Sequence, residues 1–250
     1  MSAGRVTYVG HATVLAELDG ARLLTDPVLR SRVGPLRRHA APPAPHATAD
    51  LDAVLISHLH HDHADLPSLQ RVGRDVPLLV PRGAGALFER AGFSAVSELS
   101  PGDSERVGAV TVTAVEAHHS GERKGFGSAD AIGYVLEGAY RVYFAGDTDI
   151  FDAMKDLGEG LDLALLPIWG WGPNLGAGHL DPEGAARAAA LLSPRMVVPI
   201  HWGTLYPLGL ARLRPGPLRS PPSEFEARMR ELAPQVETRV LAPGESVSLS

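Results

Sequence analysis

The sequence predicts a layered protein of mixed strands and helices, α/β or α+β in class, and three observations carry that reading. Short runs of alternating or continuous apolar residues recur along the chain, separated by turns rich in glycine and proline. Helix starts and stops lie between them, of which Asp181-Pro182-Glu183 ahead of an alanine-rich run is the clearest. Finally, the side chains best suited to chemistry each follow an apolar run, so that residues far apart in sequence can meet at the carboxyl ends of strands.

Residues 5–9 and 13–18 read as two short strands about Gly10-His11-Ala12, and Ala21 to Thr25 as a third, forming an early meander. Arg30, Arg32, Arg37, Arg38 and His39 then cluster in a loop containing glycine and proline. They read either as a solvated surface or as a lip that attracts phosphate or anionic lipid. Ala40 to His46 is loop, because its prolines remove donors and bias their predecessors toward extended backbone. Ala53-Val54-Leu55-Ile56-Ser57 is a buried strand, Pro67 to Val72 a short helix, and Pro77 to Pro81 a strand. Gly85 to Gly92 is a helix closed by glycine. The second half repeats this outline, with strands at 110–116, 131–137 and 140–145, a helix near Ile150 to Leu157, and a strand from Leu161 to Pro167. The capped helix to Leu192 and the strand Met196 to Ile200 follow. Glu224 to Leu232 is a further helix, and Arg239 to Leu241 with Val247 to Leu249 close the chain as strands.

Composition limits the function. At 250 residues, residues 1–250 suit a single domain with a sizeable core, and 44% hydrophobic with 21% charged residues is ordinary for a globular chain. The absence of cysteine excludes thiol nucleophiles, thiolate metal sites and iron–sulfur clusters, leaving histidine and carboxylate as metal ligands. No secretion signal is evident, and no apolar run approaches the roughly 20 residues that span a bilayer, so a cytoplasmic protein without integral membrane association is expected. A net charge of −6 argues against nucleic acid as a partner. A homo-oligomer is compatible with the sequence.

The chemistry centres on Ser57-His58-Leu59-His60-His61-Asp62-His63, where four imidazoles and a carboxylate emerge at the end of a buried strand. Several imidazoles packed beside a carboxylate make little sense as core filling, since every buried ring nitrogen needs a partner. The spacing His-x-His-x-Asp-His lets His58 and His60 clamp one cation while Asp62 and His63 reach a second position. Candidate partners follow later apolar runs: His118-His119 after Val110 to Val115, Asp147 after Tyr140 to Ala145, and His201 after Met196 to Ile200.

With those motifs the chain resembles the metallo-β-lactamase superfamily. Val9-Gly10-His11-Ala12-Thr13, Thr25-Asp26-Pro27, His118-His119-Ser120-Gly121, Gly146-Asp147-Thr148, His179-Leu180-Asp181-Pro182-Glu183 and His201-Trp202-Gly203-Thr204 extend the likeness over nearly the whole chain. They favour the branch of N-acyl-phosphatidylethanolamine-hydrolysing phospholipase D and ascorbate-6-phosphate lactonase-like hydrolases. The resemblance implies a four-layer αββα sandwich with metals at one edge between the sheets. It implies two divalent ions, zinc first with manganese or iron as alternatives: one held by His58, His60 and His118, the other by Asp62, His63 and His201, with Asp147 bridging. His118 is preferred to His119 because the family ligand immediately precedes an aromatic-Ser-Gly triplet, whose place His119-Ser120-Gly121 takes.

The implied activity is hydrolysis of a small-molecule phosphodiester or lactone-like ester by a metal-bridging hydroxide, with Asp62 as proton acceptor and His179 as donor to the leaving group. A metal-dependent nuclease of the same superfamily and a metal-binding module without turnover are the competing readings. Asp26 is expected to support a ligand histidine, although an Asp before proline also serves simply as a turn former. His11 lies near the site or is a structural imidazole, and His61 occupies a variable position. Trp169-Gly170-Trp171-Gly172-Pro173 departs from the family's smaller glycine-rich segment, and Trp169 and Trp171 are expected to wall the substrate pocket, the alternative being that alternation turns only one of them to the cleft and packs the other against the sandwich.

Overall fold

The computed structural model describes residues 4–123 and 127–249. Two seven-stranded sheets form the centre. The first runs Ser246–Leu249, Gly4–Gly10, Thr13–Leu18, Ala21–Thr25, Ala53–Leu55, Leu78–Pro81 and Val96–Leu99 from edge to edge. The second runs Glu237–Thr238, Met196–Ile200, Leu163–Pro167, Arg141–Phe144, Ile132–Glu137, Val110–Glu116 and Ser104–Val107. Hairpin-linked strands pair antiparallel, whereas strands separated by helices pair parallel, as crossover connections require.

Strand alternation sorts the apolar side chains into layers. Ala53 and Leu55 point inward to meet Phe144, Leu165 and Val198 of the other sheet, while Val54 points outward onto Leu69, Leu87 and Phe88 of the helices Leu66–Val72 and Gly85–Arg90. On the far side, Ala164, Leu166 and Val197 pack under Met154, Ala185, Ala189, Phe225 and Met229 of Met154–Leu157, Pro182–Leu192 and Pro221–Leu232. The layer order is therefore αββα, as the resemblance implied. Alanine at 185, 186, 188 and 189 lets Pro182–Leu192 lie close on its sheet, and Asp181 caps it by accepting the Gly184 amide at 2.7 Å.

Several elements differ from the sequence expectation. The helix expected from Ile150 occupies only Met154–Leu157, and that expected from Glu224 begins at Pro221, a position where missing amide donors cost nothing. Arg239 to Leu241 is not a strand. The parallel ladder ends at Thr238, although the Arg239 amide still donates to the Val197 carbonyl at 2.9 Å. Val96–Leu99 and Ser104–Val107 are strands the pattern missed. The arginine-rich stretch is a hairpin, Arg32–Val33 with Leu36–Arg38, extended by Leu205–Pro207 into a small third sheet. Among the described residues no helix is long and apolar enough to cross a membrane.

The sheets are tied together beneath the histidine-rich segment. The buried Tyr134 hydroxyl lies 2.7 Å from the Ile56 carbonyl and 3.0 Å from that of Leu79, and the Ile132 amide donates to the Ser57 carbonyl at 2.9 Å. Tyr134→Phe removes the only side-chain donor of this tie while keeping its ring packing. It is expected to cost about 1–2 kcal/mol of stability, read from the midpoint shift of urea denaturation at unchanged m value.

Candidate metal centre

Every donor of the centre sits where a strand of one of the two sheets has ended. Residues 56–65 leave Ala53–Leu55 and run to Asp65, which caps the next helix by accepting the Ser68 amide. His201 follows Met196–Ile200 at φ 61°, and Asp147 follows Arg141–Phe144 through Gly146 at φ 62°. Gly146 is required there on two counts, because a Cβ would come within 2.7 Å of the Ser57 Cβ and the backbone is left-handed. His11 fills the turn between the first two strands at φ 59°.

Ligand atoms lying within 4.8 Å of one another form four overlapping groups: Asp26, His58 and His63; His119, Asp147 and His179; and the two that frame the centre, His58, His60 and His119 in one and His11, Asp62, His63 and His201 in the other. Asp147 stands between them. Its Oδ2 is 3.3 Å from His63 Nε2 and 4.0 Å from His58 Nε2, and its Oδ1 is 3.4 Å from His201 Nε2. That Oδ1 is buried and has no hydrogen-bond partner.

The outward nitrogens of four of the imidazoles are engaged, whereas the buried His11 Nδ1 has no hydrogen-bond partner. His63 Nδ1 donates to Asp26 Oδ2 at 2.8 Å, His201 Nδ1 to the Trp169 carbonyl at 2.9 Å, and His119 Nδ1 to the Gly178 carbonyl at 2.7 Å. His58 Nδ1 contacts Ser57 Oγ at 2.9 Å, which itself donates to Asp26 at 2.5 Å. Fixing the proton on Nδ1 turns the Nε2 lone pair inward, the arrangement that metal-bound imidazoles share. The inward atoms then crowd one another: His63 Nε2 and His201 Nε2 are 3.0 Å apart, and His60 Nδ1 is 3.0 Å from His58 Nε2 and 3.1 Å from His119 Nε2.

Charge follows the same arrangement. Burial pushes His58 well below the ordinary histidine range, His119 to about 4 and His11 to about 3, leaving neutral rings with lone pairs to offer. Burial would raise Asp62 and Asp147, but the facing histidines, His63 foremost for Asp62 and His201 for Asp147, hold both well below the carboxylate range. Burial would likewise lower His63, yet Asp147, Asp62 and Asp26 outweigh it and keep a proton on that ring. Three carboxylates facing one imidazole favour positive charge at this point, which a divalent cation would also supply. The unpartnered Asp147 oxygen and the crowded imidazole nitrogens fit a site for divalent cations.

Two sequence expectations change, those for His118 and Trp169. His118 is outside both groups. The backbone at 118 bridges Asp149, and alternation sends its ring out to stack on Phe151 at 4.5 Å and to pair with Glu116 at 2.7 Å. His119 therefore points inward, and the close approach of Gly178 leaves no room there for a side chain. Trp169 turns its indole to the Gly172 carbonyl at 3.0 Å and does not line the cleft, whereas Trp171, 42% exposed, does. His11 is fully buried, with Nε2 on Asp62 Oδ2 at 2.8 Å. Asp26, equally buried, holds both His63 and the Ser57 amide. The doublet His118-His119 gave sequence reasoning a signal for the right ligand but not the phase that separates its members.

Above the donors lies a cleft of about 700 Å³, lined by His60, Asp62 and His179 on one side and by Arg30, Leu36 and Trp171 among its other walls. His61 also faces it. Arg30 is not free to act as a lone cation, because Asp65 holds it at 2.9 and 2.5 Å. His179 brings Nε2 to 3.5 Å from Asp147 Oδ2, and that carboxylate raises its pKa against the effect of burial.

Comparison with known proteins gives concordant results. A family model described as a beta-lactamase superfamily domain matches residues 21–202. A metal-dependent hydrolase of Rubrobacter xylanophilus is 34% identical over 97% of this chain and 96% of its own length. N-acyl-phosphatidylethanolamine-hydrolyzing phospholipase D 1 of Caenorhabditis elegans is 34% identical over 81% of this chain and 64% of its own. Among solved structures, a metallo hydrolase from the archaeon Ignicoccus hospitalis superposes with TM-score 0.76 at 26% identity, covering 100% of this chain and 99% of that one.

The two adjacent histidines provide the sharpest test of the donor geometry. His119→Ala is expected to weaken zinc binding tenfold to a hundredfold or more, on the scale of about 10–100-fold for losing a supporting partner alone, while His118→Ala leaves it unchanged. Competition with a chromophoric chelator reads both.

Proposed function

The chain belongs to the metallo-β-lactamase superfamily, and from that premise we propose that it is a dinuclear metal-dependent hydrolase of a phosphodiester or lactone-like ester with an apolar organic part. One observation carries the reading: two donor groups flank a single buried carboxylate, Asp147, on the floor of a cleft. His58, His60 and His119 would hold one ion and Asp62, His63 and His201 the other, with Asp147 facing both. Nitrogen and oxygen donors without thiolate make zinc the first assignment, with manganese or iron as alternatives. Bound divalent ions would supply Lewis acidity, lowering the pKa of water and polarising the oxygen of the scissile group.

The chain's own residues supply orientation and proton transfer. His11 fixes one oxygen of Asp62, so this carboxylate meets the cleft in a set orientation and accepts the proton of the attacking water. His179 lines the same cleft and contacts the Gly176 and Ala177 carbonyls through Nδ1 at 3.2 and 3.1 Å. Its Nε2 holds the proton that the departing oxygen requires. Leu36, Leu175 and Trp171 give the cleft an apolar wall that excludes water and receives the organic part. The lipid phosphodiester named for the nematode relative supports a substrate of this kind. A cytoplasmic protein forming one domain is the accompanying reading.

Two variants test the assignment with bis-p-nitrophenyl phosphate and a panel of aryl and alkyl esters and lactones. Asp62→Ala is expected to lower kcat by about 10²–10⁴-fold without shifting the thermal midpoint downward, and retained turnover removes Asp62 from the reaction. Trp171→Ala is expected to raise KM for apolar substrates, a loss of roughly 1–3 kcal/mol in binding, with kcat and metal content unchanged. Equal effects on polar and apolar substrates would exclude the apolar wall.

A further inference from the structure

Two stretches of this acidic chain contain no Asp or Glu at all, residues 27–49 and 184–223, and the small third sheet joins them. Arg32 and Arg37 are direct cross-strand partners, both exposed, while Val33 and Leu36 beside them are buried on the opposite face. Like charges directly opposite one another destabilise a hairpin unless an anion lies between them. The segment after Leu205–Pro207 continues the same surface. The Leu208 amide donates to the Pro35 carbonyl at 3.0 Å, and the Tyr206 hydroxyl donates to the Arg214 carbonyl at 2.9 Å, so this segment is strapped to the hairpin. Arg212, Arg214 and Arg219 are exposed along it. Among the described residues none of these five arginines pairs with a carboxylate. Interleaved with them stand Leu208 at 56% and Leu213 at 80% exposure, the two most exposed large apolar side chains described.

We propose that this face docks the protein on an anionic lipid bilayer, with the arginines among the headgroup phosphates and Leu208 and Leu213 inserted at the interface. Charge complementarity selects an anionic occupant, and the leucines separate a bilayer from a nucleic acid or an acidic peptide. Leu208 and Leu213 project singly beside the arginines, an arrangement that a fluid apolar layer under anionic headgroups accommodates without a shaped pocket. The placement also has a consequence for the cleft. Gly34 and Pro35, at the tip of the hairpin, line its wall, so docking brings the cleft alongside the bilayer.

The test is co-sedimentation of the full chain with vesicles of phosphatidylcholine alone and of phosphatidylcholine with about one third phosphatidylglycerol. It needs no turnover, so it stands or falls independently of the hydrolase assignment. Binding is expected to the mixed vesicles only, declining with salt. Arg32→Gln and Arg37→Gln together are expected to weaken it about 25-fold, at roughly fivefold per arginine, and Arg212→Gln with Arg214→Gln likewise. Leu208→Ser with Leu213→Ser should weaken it by tenfold or more while keeping the salt dependence. Thermal melts matching the parent exclude unfolding as the cause, and either arginine pair alone suffices should the other variant not fold. The proposal is overturned by absent vesicle binding, by binding that the variants leave unchanged, or by equal affinity for single-stranded DNA or polyglutamate, which would show a general polyanion surface.

Discussion

A carboxylate shielded from solvent, that of Asp26, is the constraint on which the centre depends. A buried carboxylate is tolerated only when its oxygens are satisfied. Asp26 meets that demand with the Ser57 amide, the Ser57 hydroxyl and His63 Nδ1, all from the segment that carries the donors. The end of Ala21–Thr25 is thereby fastened to the segment following Ala53–Leu55, its parallel neighbour in the sheet. The backbone at Asp26 takes a positive φ of 34° to present the carboxylate, a conformation that costs an L-residue energy and that the surrounding bonds impose. His63 and, through Ser57, His58 inherit their orientation from this one group, and the ligand atoms of Asp26, His58 and His63 lie within 4.8 Å of one another.

Orientation from behind is the general device. A serine hydroxyl, a carboxylate and two backbone carbonyls each hold the far side of one imidazole, so the inward nitrogens are presented before any cation arrives. Preorganisation of this kind leaves crowded lone pairs and an unpartnered Asp147 oxygen in the metal-free chain. Positive charge among the carboxylates, which raise the pKa of His63, offsets that crowding, and a divalent cation would supply it.

Legibility in the sequence varied with the physics of each feature. Strands leading to donors were plain, because buried parallel strands are continuous apolar runs, and Met196–Ile200 shows it well. The capped helix Pro182–Leu192 was equally plain, its Asp-Pro start being a local signal. What could not be read depends on phase or on tertiary pairing. His118 and His119 are alike in type, and only the backbone bridge to Asp149 decides which ring faces in. The hairpin at Arg32–Val33 and Leu36–Arg38 looks like loop in sequence, since its third strand lies more than 150 positions away at Leu205–Pro207. Trp169 and Trp171 differ through a hydrogen bond within their own turn, which composition does not encode.

The pairing of Gly4–Gly10 with Ser246–Leu249 bears on how the molecule assembles. Thr7 and Ser246 share a hydrogen bond across 239 positions of sequence, among the longest loop closures this fold makes. Closing so long a loop is slow relative to forming the hairpin Gly4–Gly10 with Thr13–Leu18, whose partners lie next to each other. During folding the strand Gly4–Gly10 therefore spends a period paired on one side only, its other edge open to any extended segment that meets it. The residues at 246–249 cover that edge in the finished sheet, so shortening the chain at this point would leave the strand Gly4–Gly10 open to pairing with other extended segments.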